Sequence, residues 1–424
     1  MKKILLIAYS ISPKRGSEYS VGWNHAIFMS KHYKITVIYG LAGDHMGDLE
    51  EIESINQKEI PENLKFIPVK PNFLAKILNY TNKNGFFVYL FYLAYSVWHR
   101  QLKDKIKEIE RTDGDFDVYH YLCPIGFREP GYIWQGKENY VWGPVGGLDN
   151  QSIKISFQKS IPDGVKSTIK TSINKFQLLT SFRIKKAIKQ SNEIIAATPE
   201  SQKIIAKIRQ QELSKVKIIP ENAIPDKWIE NYSPKKFEHN QILSICWVGT
   251  IDSRKSLEIL LLALSKLSSK LWELNVVGAG PKKIFCQNLA EKLLIKENIK
   301  WHGKLPRHEV IEVYKNSHLH VITSLAEGNP TTLWEAMSTG TPTLCLENSG
   351  MKNVVCKKCG FKVPSNDIHE TTNIIKTELE EIIRNPSIIN EKTTTMLSCI
   401  KDNLWSAREN QWKEIYEELS RNKN

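Results

Sequence analysis

One stretch in the second half of the sequence constrains the fold most. Residues His318 to Pro342 read HLHVITSLAEGNPTTLWEAMSTGTP. The apolar residues Leu319 to Ile322 predict a short strand, and the composition of Thr331 to Met337 predicts a helix that ends near Gly340. Similar alternation of strands and helical segments in both halves of the chain predicts parallel sheets and an α/β architecture.

The turn between this strand and this helix has the features of an anion site. Gly328-Asn329-Pro330 fits a tight turn that places Pro330 near the first helical position. The backbone N–H groups of Thr331 to Leu333 would then point out of the helix start, because they have no partner inside the helix. A diphosphate is favoured at such a place.

Two carboxylates, Glu327 and Glu335, flank this helix start. Glu335 lies about one turn into the helix, where it could accept hydrogen bonds from a ribose diol. Glu327 lies in the loop and would face whatever is attached beyond the phosphates. An isolated pair with this spacing is more often a solvated loop acid and a surface helix acid, so the hypothesis depends on the surrounding residues.

Three further strands end at a glycine in the same half of the chain. Leu243 to Val248 precedes Gly249, Leu274 to Val277 precedes Gly278, and Ile299 to His302 precedes Gly303. After Gly249 come Arg254 and Lys255 and then a leucine-rich helix. A guanidinium can bridge two phosphate oxygens, whereas an ammonium acts as a point charge, so this basic pair suits a diphosphate.

This order of elements resembles the E-x7-E region of the family 4 retaining glycosyltransferases. The resemblance implies the GT-B fold, with two Rossmann-like domains, a cleft between them and a C-terminal helix crossing back to the N-terminal domain. Thr250 departs from the family, which often has Arg directly after the glycine, and we take Arg254 as the substitute.

The first half of the chain carries further matches. Ile4 to Ala8 predicts a first strand, and the loop Gly16-Ser17-Glu18 follows it, with a helix from about Val21. This loop, and the glycine-rich Tyr140 to Gly147, are similar to a subgroup that builds bacterial surface polysaccharides. His120 ends another strand and aligns with the family histidine near the donor sugar, although a histidine there is more often structural without such context.

The resemblance implies the following chemistry. His120, Glu327, Arg254 and Lys255 would serve catalysis with retention of anomeric configuration, and no metal or other cofactor is expected. The donor would be a UDP- or GDP-sugar, and the acceptor a glycan or polyprenyl-diphosphate-linked oligosaccharide of an O-antigen, capsule or exopolysaccharide. The predicted donor-binding residues are Gly16, Gly249, Arg254, Lys255, Gly278, Gly303, Glu327, Asn329, Pro330, Thr331, Thr332 and Glu335.

The length of the chain fits two domains. At 424 residues it is too long for one core. We predict an N-terminal domain over residues 1–222 and a donor domain over residues 223–403. Residues 404–424 are predicted to form an amphipathic helix, with Trp412, Ile415 and Tyr416, that packs on the N-terminal domain.

The positive charge is concentrated in one region. The formal net charge is +13, and the region from Gln151 to Ile218 contributes most of it. Apolar residues recur there at helical spacing among the basic ones, which fits either an anionic membrane surface or a solvated helix with its apolar face in the core. The uncharged run from Phe86 to Trp98 is too short to span a bilayer, so it forms a buried helix or dips into an interface.

Localisation and metal binding follow from weaker signals. Nothing at the N-terminus resembles a signal peptide, so we expect a cytoplasmic protein, peripheral on the inner face of the cytoplasmic membrane. Seven scattered cysteines fit reduced thiols. Cys356 and Cys359 form a C-x2-C that would be half of a zinc site, but no second pair follows at suitable spacing. A D-x-D motif can hold a divalent cation in glycosyltransferases of the other common fold. Here the D-x-D at Asp115 to Asp117 introduces a strand and is easily matched by chance, so it does not predict a metal site.

Two other classes of function share these features. A nucleotide-sugar epimerase or a phosphorylase would have the same fold, although the basic, aromatic first half looks more like an acceptor surface. A nonenzymatic protein would use the basic face for a membrane or a nucleic acid. The intact Glu327, Glu335 and Lys255 argue for the transferase, for which we expect no nucleic-acid partner.

Overall fold

A computed structural model describes residues 1–14, 18–40, 52, 55, 60–83, 90–230 and 232–421. The chain divides into two compact units. The first contains residues 1–148, 174–222 and 405–424, and the second contains residues 149–173 and 223–404. Helices and strands are numbered below in chain order.

The first unit is built on a parallel sheet of six strands in the order β3-β2-β1-β4-β5-β6. Strands β1 and β4 are buried almost throughout, as is typical of a parallel sheet covered on both faces. The strands are β1 (Lys3–Ala8), β2 (Lys34–Gly40), β3 (Leu64–Val69), β4 (Val118–Cys123), β5 (Tyr140–Val145) and β6 (Glu193–Ala196). The helices are α1 (Glu18–Met29), α2 (Phe73–Lys83), α3 (Leu90–Asp113), α6 (Phe182–Gln190), α7 (Pro199–Arg209) and α15 (Trp405–Arg421), with a 3-10 turn at Leu213–Lys215.

The C-terminal helix α15 belongs to this first unit, as the sequence predicts. Its apolar residues Trp412, Ile415 and Tyr416 lie in one buried cluster with Ile4 and Leu6 of β1. The helix packs on α1 and β4. Its Glu417 carboxylate accepts hydrogen bonds from the Lys2 ammonium and the Tyr33 hydroxyl. The last helix of the chain therefore completes the core of the unit in which the chain begins.

The second unit contains another six-stranded parallel sheet, in the order β12-β11-β10-β7-β8-β9. Along the chain, β8 and β9 are added on one side of β7, whereas β10, β11 and β12 are added on its other side. The strands are β7 (Leu243–Val248), β8 (Trp272–Val277), β9 (Ile299–Gly303), β10 (Leu319–Ile322), β11 (Thr343–Leu346) and β12 (Gly360–Val363). The helices are α4 (Ile153–Lys159), α8 (Leu257–Leu264), α9 (Lys283–Lys292), α10 (Arg307–Lys315), α11 (Thr331–Ser338), α12 (Met351–Val354), α13 (Ile368–Arg384) and α14 (Ser387–Lys401), with 3-10 turns at Asp226–Ile229 and Lys296–Asn298.

The division after residue 222 falls where the sequence placed it, but residues 149–173 do not stay with the first domain. Helix α4 explains the difference. Ile155 is fully buried in the core of the second unit, Gln158 accepts a 3.0 Å hydrogen bond from the backbone of Ile368, and Lys159 lies 3.0 Å from Glu258. Leu404, predicted to start the terminal segment, also groups with the second unit, since it bridges to Ile224.

The uncharged run from Phe86 to Trp98 is described only from residue 90 onward, where it forms the start of α3. Ala94, Tyr95 and Trp98 are buried in the core of the first unit. In the described part of the chain, no helix combines the length and the hydropathy that crossing a membrane requires.

Candidate active site

The loop after β7 presents the two basic residues that the sequence singles out. The Asp252 carboxylate accepts hydrogen bonds from the backbone N–H groups of Arg254 and Lys255, at 2.9 and 2.8 Å. This turn, in which an aspartate side chain binds the backbone two and three residues on, fixes the loop just before α8 begins. The positions of Arg254 and Lys255 are therefore set by the short sequence between Gly249 and Leu257.

A second loop, after β10, is hydrogen-bonded to the loop after β7. The Thr323 hydroxyl donates a 2.9 Å hydrogen bond to the Lys255 carbonyl and accepts one of 3.1 Å from the Trp247 indole. The Leu325 N–H donates to the Arg254 carbonyl at 2.9 Å. Because β7 and β10 are neighbours in the sheet, their carboxyl ends bring both loops to the point where the strand order reverses, the place at which open α/β sheets bind ligands.

Glu327 is paired with both basic residues. Its Oε2 atom lies 2.5 Å from Arg254 Nη1 and 2.7 Å from Lys255 Nζ. Burial opposes ionisation of Glu327, but the charges of Lys255 and Arg254 outweigh it and hold its pKa below the usual range. The sequence assigned Glu327 to the sugar and the two cations to the diphosphate; the structure shows the three side chains in direct contact.

The start of α11 lies directly after Glu327. Pro330 precedes the first helical residue and has no side-chain group that could cap the helix. Gly350 stabilises this turn, because its N–H donates a 3.1 Å hydrogen bond to the Glu327 carbonyl. The two segments are so close that a Cβ on Gly350 would overlap the Gly328 carbonyl. Among the described residues, the buried hydroxyl of Thr332 has no hydrogen-bond partner. The Leu333 N–H, which the sequence predicts to be without a partner, donates to the Pro330 carbonyl at 3.1 Å. The helix start and the Thr332 hydroxyl are suited to an anion.

Glu335 lies inside α11, where its side chain is buried. Its Oε1 atom is 3.0 Å from Nε of Arg307, whose guanidinium lies 4.4 Å from the centre of the Trp228 ring. Burial raises the pKa of Glu335 above the usual range despite the nearby Arg307 charge. Arg307 was not among the predicted site residues. Its signal in the sequence is a basic residue directly after Pro306, at the start of the helix that follows Gly303.

The three predicted glycines lie at the carboxyl ends of adjacent strands. Gly278 has a positive φ of 138°, and a Cβ there would overlap the Gly249 carbonyl oxygen. Its N–H donates a 2.7 Å hydrogen bond to the carbonyl of Gly303. The glycines Gly249, Gly278 and Gly303 therefore let the ends of β7, β8 and β9 approach one another closely.

A cavity of about 260 Å³ lies beside Arg254. Lys159 of α4 and Lys166 and Lys170 of helix α5 (Ile161–Thr180) line it, together with Asp163. Asp163 is paired with Lys282 at 2.6 Å. The lysines give this cavity a net positive lining that continues from Arg254.

His120 has a different environment from the one predicted. It is fully buried in the first unit, with Nε2 at 2.7 Å from the Gly143 carbonyl and Nδ1 at 2.6 Å from the Tyr416 hydroxyl. Burial lowers its pKa to about 3. Since both nitrogens are paired and the ring has no solvent exposure, this geometry favours the structural role that the sequence left open. The predicted Gly16 lies outside the described residues.

The comparisons with known proteins agree with this geometry. Residues 229–393 match the family model described as glycosyl transferases group 1. This segment contains Arg254, Lys255, Arg307, Glu327 and Glu335, so the paired acids and bases of the site all lie within the part of the chain that is similar to this family.

Individual relatives match only in part. The chain is 31% identical over 183 residues to an uncharacterized glycosyltransferase of Haemophilus influenzae, a match that covers 42% of this chain and 49% of that protein. The chain thus spans about half the length, or less, of the curated relatives it matches.

Solved structures match over nearly the whole chain. The apo form of the lipopolysaccharide outer core galactosyltransferase WaaB has a TM-score of 0.68 at 15% identity, covering 97% of this chain and 98% of that one. The Anabaena protein Alr3699/HepE in complex with UDP-glucose has a TM-score of 0.57 at 12% identity, covering 99% and 100%. These likenesses confirm the predicted GT-B fold.

Proposed function

We propose that the protein is a retaining glycosyltransferase that takes its sugar from a UDP- or GDP-sugar. The observation that carries this proposal is the convergence of Arg254 and Lys255 on Glu327 beside the uncapped start of α11. The match to a glycosyl transferase domain over residues 229–393 supports it, and so does a structure of the same fold that holds UDP-glucose.

The donor diphosphate is the group that this site suits best. When the bond from the anomeric carbon to the diphosphate breaks, negative charge grows on the phosphate oxygens. Arg254, Lys255 and the N–H groups at the start of α11 would stabilise this charge without a metal ion. Charges held in place by Asp252 and Thr323 need little reorganisation during the reaction.

Retention follows if the acceptor attacks from the face that the diphosphate leaves. The acceptor oxygen forms the new bond to the anomeric carbon as the carbon–phosphate oxygen bond breaks, and the hydroxyl proton passes to the departing phosphate oxygen. In this proposal Glu327 gives up part of its contact with the two cations and orients the sugar. No covalent sugar–enzyme bond is formed.

Glu335 is assigned to the nucleotide. An ionised carboxylate can accept both hydrogen bonds of a ribose diol, and the Arg307 guanidinium opposes its protonation. Asn329, Thr331 and Thr332 line the same helix start and would contact the phosphates through backbone and hydroxyl groups.

Helix α5 supports attachment to a membrane surface. It buries small or polar residues, namely Gly164, Ser167, Thr171 and Asn174, and it exposes apolar ones. The exposed side chains are Ile161, Val165, Ile169, Phe176 and Leu179, each at least 45% accessible. The alternative that this apolar face lies in the core is therefore wrong, and an exposed apolar face among lysines is typical of a helix lying on an anionic bilayer.

The same helix favours a lipid-linked acceptor. Lys166 and Lys170 line the basic cavity beside Arg254, while Val165 and Ile169 on α5 are exposed. A polyprenyl diphosphate combines an anionic group with an apolar chain, which is the combination that α5 offers. The expected product is therefore a bacterial surface oligosaccharide growing on its lipid carrier, on the cytoplasmic side of the membrane.

A transfer assay tests the proposal. The protein is incubated with UDP- and GDP-sugars and polyprenyl-diphosphate-linked saccharides in vesicles, and the product is analysed by mass spectrometry and by NMR of the new linkage. We expect one sugar added with its anomeric configuration kept. Interconversion of the donor without transfer would indicate an epimerase. A sugar trapped on a carboxylate would overturn the same-face attack, because retention would then arise from two successive displacements.

A further inference from the structure

Three cysteines of the second unit meet at one place in the structure. Cys356 and Cys359 flank the turn between α12 and β12, and Cys399 comes from α14. The three Sγ atoms all lie within 4.8 Å of one another, and those of Cys356 and Cys359 are 3.2 Å apart. The sequence suggested only half a site here, because Cys399 lies far along the chain from the C-x2-C pair.

Backbone hydrogen bonds within the turn fix the positions of Cys356 and Cys359. The N–H groups of Cys359 and Gly360 donate to the Cys356 carbonyl at 3.2 and 3.1 Å, and the Cys356 N–H points to Cys359 Sγ at 3.3 Å. These backbone contacts hold the two sulfurs close together on one turn, as a C-x2-C metal site requires.

The surroundings supply positive charge. The Lys392 ammonium donates a 2.8 Å hydrogen bond to the Lys357 carbonyl on the same turn, and Thr395 donates to the Lys358 carbonyl at 2.7 Å. Helix α14 therefore contributes both Cys399 and the contacts that hold the turn against it. Three thiolates would be compensated by a divalent cation together with the Lys392 ammonium.

We propose that Cys356, Cys359 and Cys399 bind a thiophilic divalent metal ion of the zinc class, with a fourth position left for water or another ligand. Tetrahedral zinc with bonds of about 2.3 Å to sulfur separates the sulfurs by roughly 3.8 Å. The Cys356 and Cys359 sulfurs, at 3.2 Å, are closer than this, and all three sulfurs lie within 4.8 Å, so small shifts of the side chains would reach the zinc spacing. A disulfide would need two of the sulfurs at about 2.05 Å and would leave the third unused.

The metal would have a structural role. Cys359 shares a buried cluster with Met351 of α12 and with Leu333 and Trp334 of α11. The segment before α12 holds the Glu327 loop through Gly350. None of the residues assigned to the donor belongs to the cysteine cluster, so this inference does not depend on the proposed transferase activity.

Cobalt titration of the full chain tests the proposal. The reduced, metal-free protein is titrated with Co²⁺, whose thiolate complexes absorb strongly in the near ultraviolet and show visible bands typical of tetrahedral geometry, and zinc is then added as a competitor. The variants are Cys356→Ser and Cys399→Ser, whose side chains are only half buried, and Cys286→Ala serves as a control outside the cluster.

We expect one ion per chain in the wild type and in the Cys286→Ala control, and an affinity at least about tenfold lower in each cluster variant. Circular dichroism shows whether each variant is folded. The proposal is overturned if the wild type binds cobalt no better than folded Cys356→Ser and Cys399→Ser proteins. It is also overturned if mass spectrometry of the protein from reducing cytoplasm shows a Cys356–Cys359 disulfide.

Discussion

The Lys255 ammonium lies 2.7 Å from the Glu327 carboxylate, which also contacts Arg254. The two cations proposed for the donor diphosphate are therefore neutralised in part by an acid of the same site. A bound diphosphate would compete with Glu327 for them. Because of this competition, replacing Glu327 should change nucleotide affinity and turnover in different ways.

Replacing Glu327 with Gln should lower turnover by about 100-fold, because the sugar loses a charged partner in the transition state. Nucleotide affinity should be unchanged or higher, because Arg254 and Lys255 lose a competing anion. Steady-state kinetics and calorimetric titration with the nucleotide measure the two effects. Glu312→Gln, which removes a solvent-exposed acid of α10, is the control. A loss of affinity as large as the loss of turnover would contradict this division of roles.

Affinity for the nucleotide sugar should depend on pH through Glu335. Burial raises the pKa of this acid, so it becomes protonated at a higher pH than an ordinary glutamate. The carboxylate is needed to accept the ribose hydrogen bonds, so affinity is full above the raised pKa and falls as the pH drops through it. Titration with a nucleotide sugar, whose diphosphate is esterified at both ends and has no ionisation of its own near neutral pH, measures this dependence. In Glu335→Gln affinity should be low and flat over the same pH range.

Removing two apolar side chains of α5 should weaken vesicle binding. The change Phe176→Ser with Leu179→Ser removes two exposed groups, each contributing on the order of 1.5–3 kcal/mol when buried in the bilayer. Co-sedimentation with anionic phospholipid vesicles should show at least about tenfold weaker partition. Ile242→Ser with Leu294→Ser, which changes two exposed apolar side chains outside α5, should leave partition unchanged. Equal partition of both double variants and the wild type would argue against α5 as the membrane face.

The buried histidines should make the first unit sensitive to acid. His120 donates through Nε2 to the Gly143 carbonyl, so its neutral ring accepts at Nδ1 from the Tyr416 hydroxyl, which in turn accepts from His25 at 2.8 Å. The folded pKa of about 3 lies below the ordinary 6.5, so only the unfolded chain takes up a proton between these values. Stability should therefore fall with pH below about 6.5, by up to roughly 1.4 kcal/mol per pH unit for this residue.

Denaturant unfolding at several pH values tests that expectation. In His120→Gln the free energy of unfolding should depend less steeply on pH. At about pH 5 the slope should be smaller by nearly the roughly 1.4 kcal/mol per pH unit that one bound proton contributes. The exposed His308→Gln should keep the slope of the wild type. If His120→Gln also keeps that slope, the histidine is not buried in its neutral form.

Much of the fold could be predicted because its signals are local. Strands that end in glycine, and a helix that starts after Pro330, need only short windows of sequence. Parallel sheets in both halves follow from the alternation of strands with helices, and each sheet has six strands in the structure. The terminal helix was predicted to pack on the first domain, and its Tyr416 hydroxyl makes a buried 2.6 Å hydrogen bond with His120 there.

What the sequence could not supply are contacts between distant residues. Nothing near Glu327 shows that it pairs with Arg254 and Lys255, and nothing near Glu335 indicates Arg307. Cys399 joins Cys356 and Cys359 only because α14 packs beside their turn. Residues 149–173 were misplaced for the same reason, since the pairing of Lys159 with Glu258 is not visible in either segment alone.

Thermal unfolding with UDP, GDP and ADP, each with and without added Mg²⁺, tests the donor site most directly. A nucleotide at about 100 times its dissociation constant adds roughly 2.7 kcal/mol, enough to raise the unfolding temperature by several degrees. We predict such a rise with UDP or GDP, independent of Mg²⁺ and strongly reduced in Arg254→Gln. No rise with any nucleotide, or the same rise in the wild type and in Arg254→Gln, would contradict the assignment of this site.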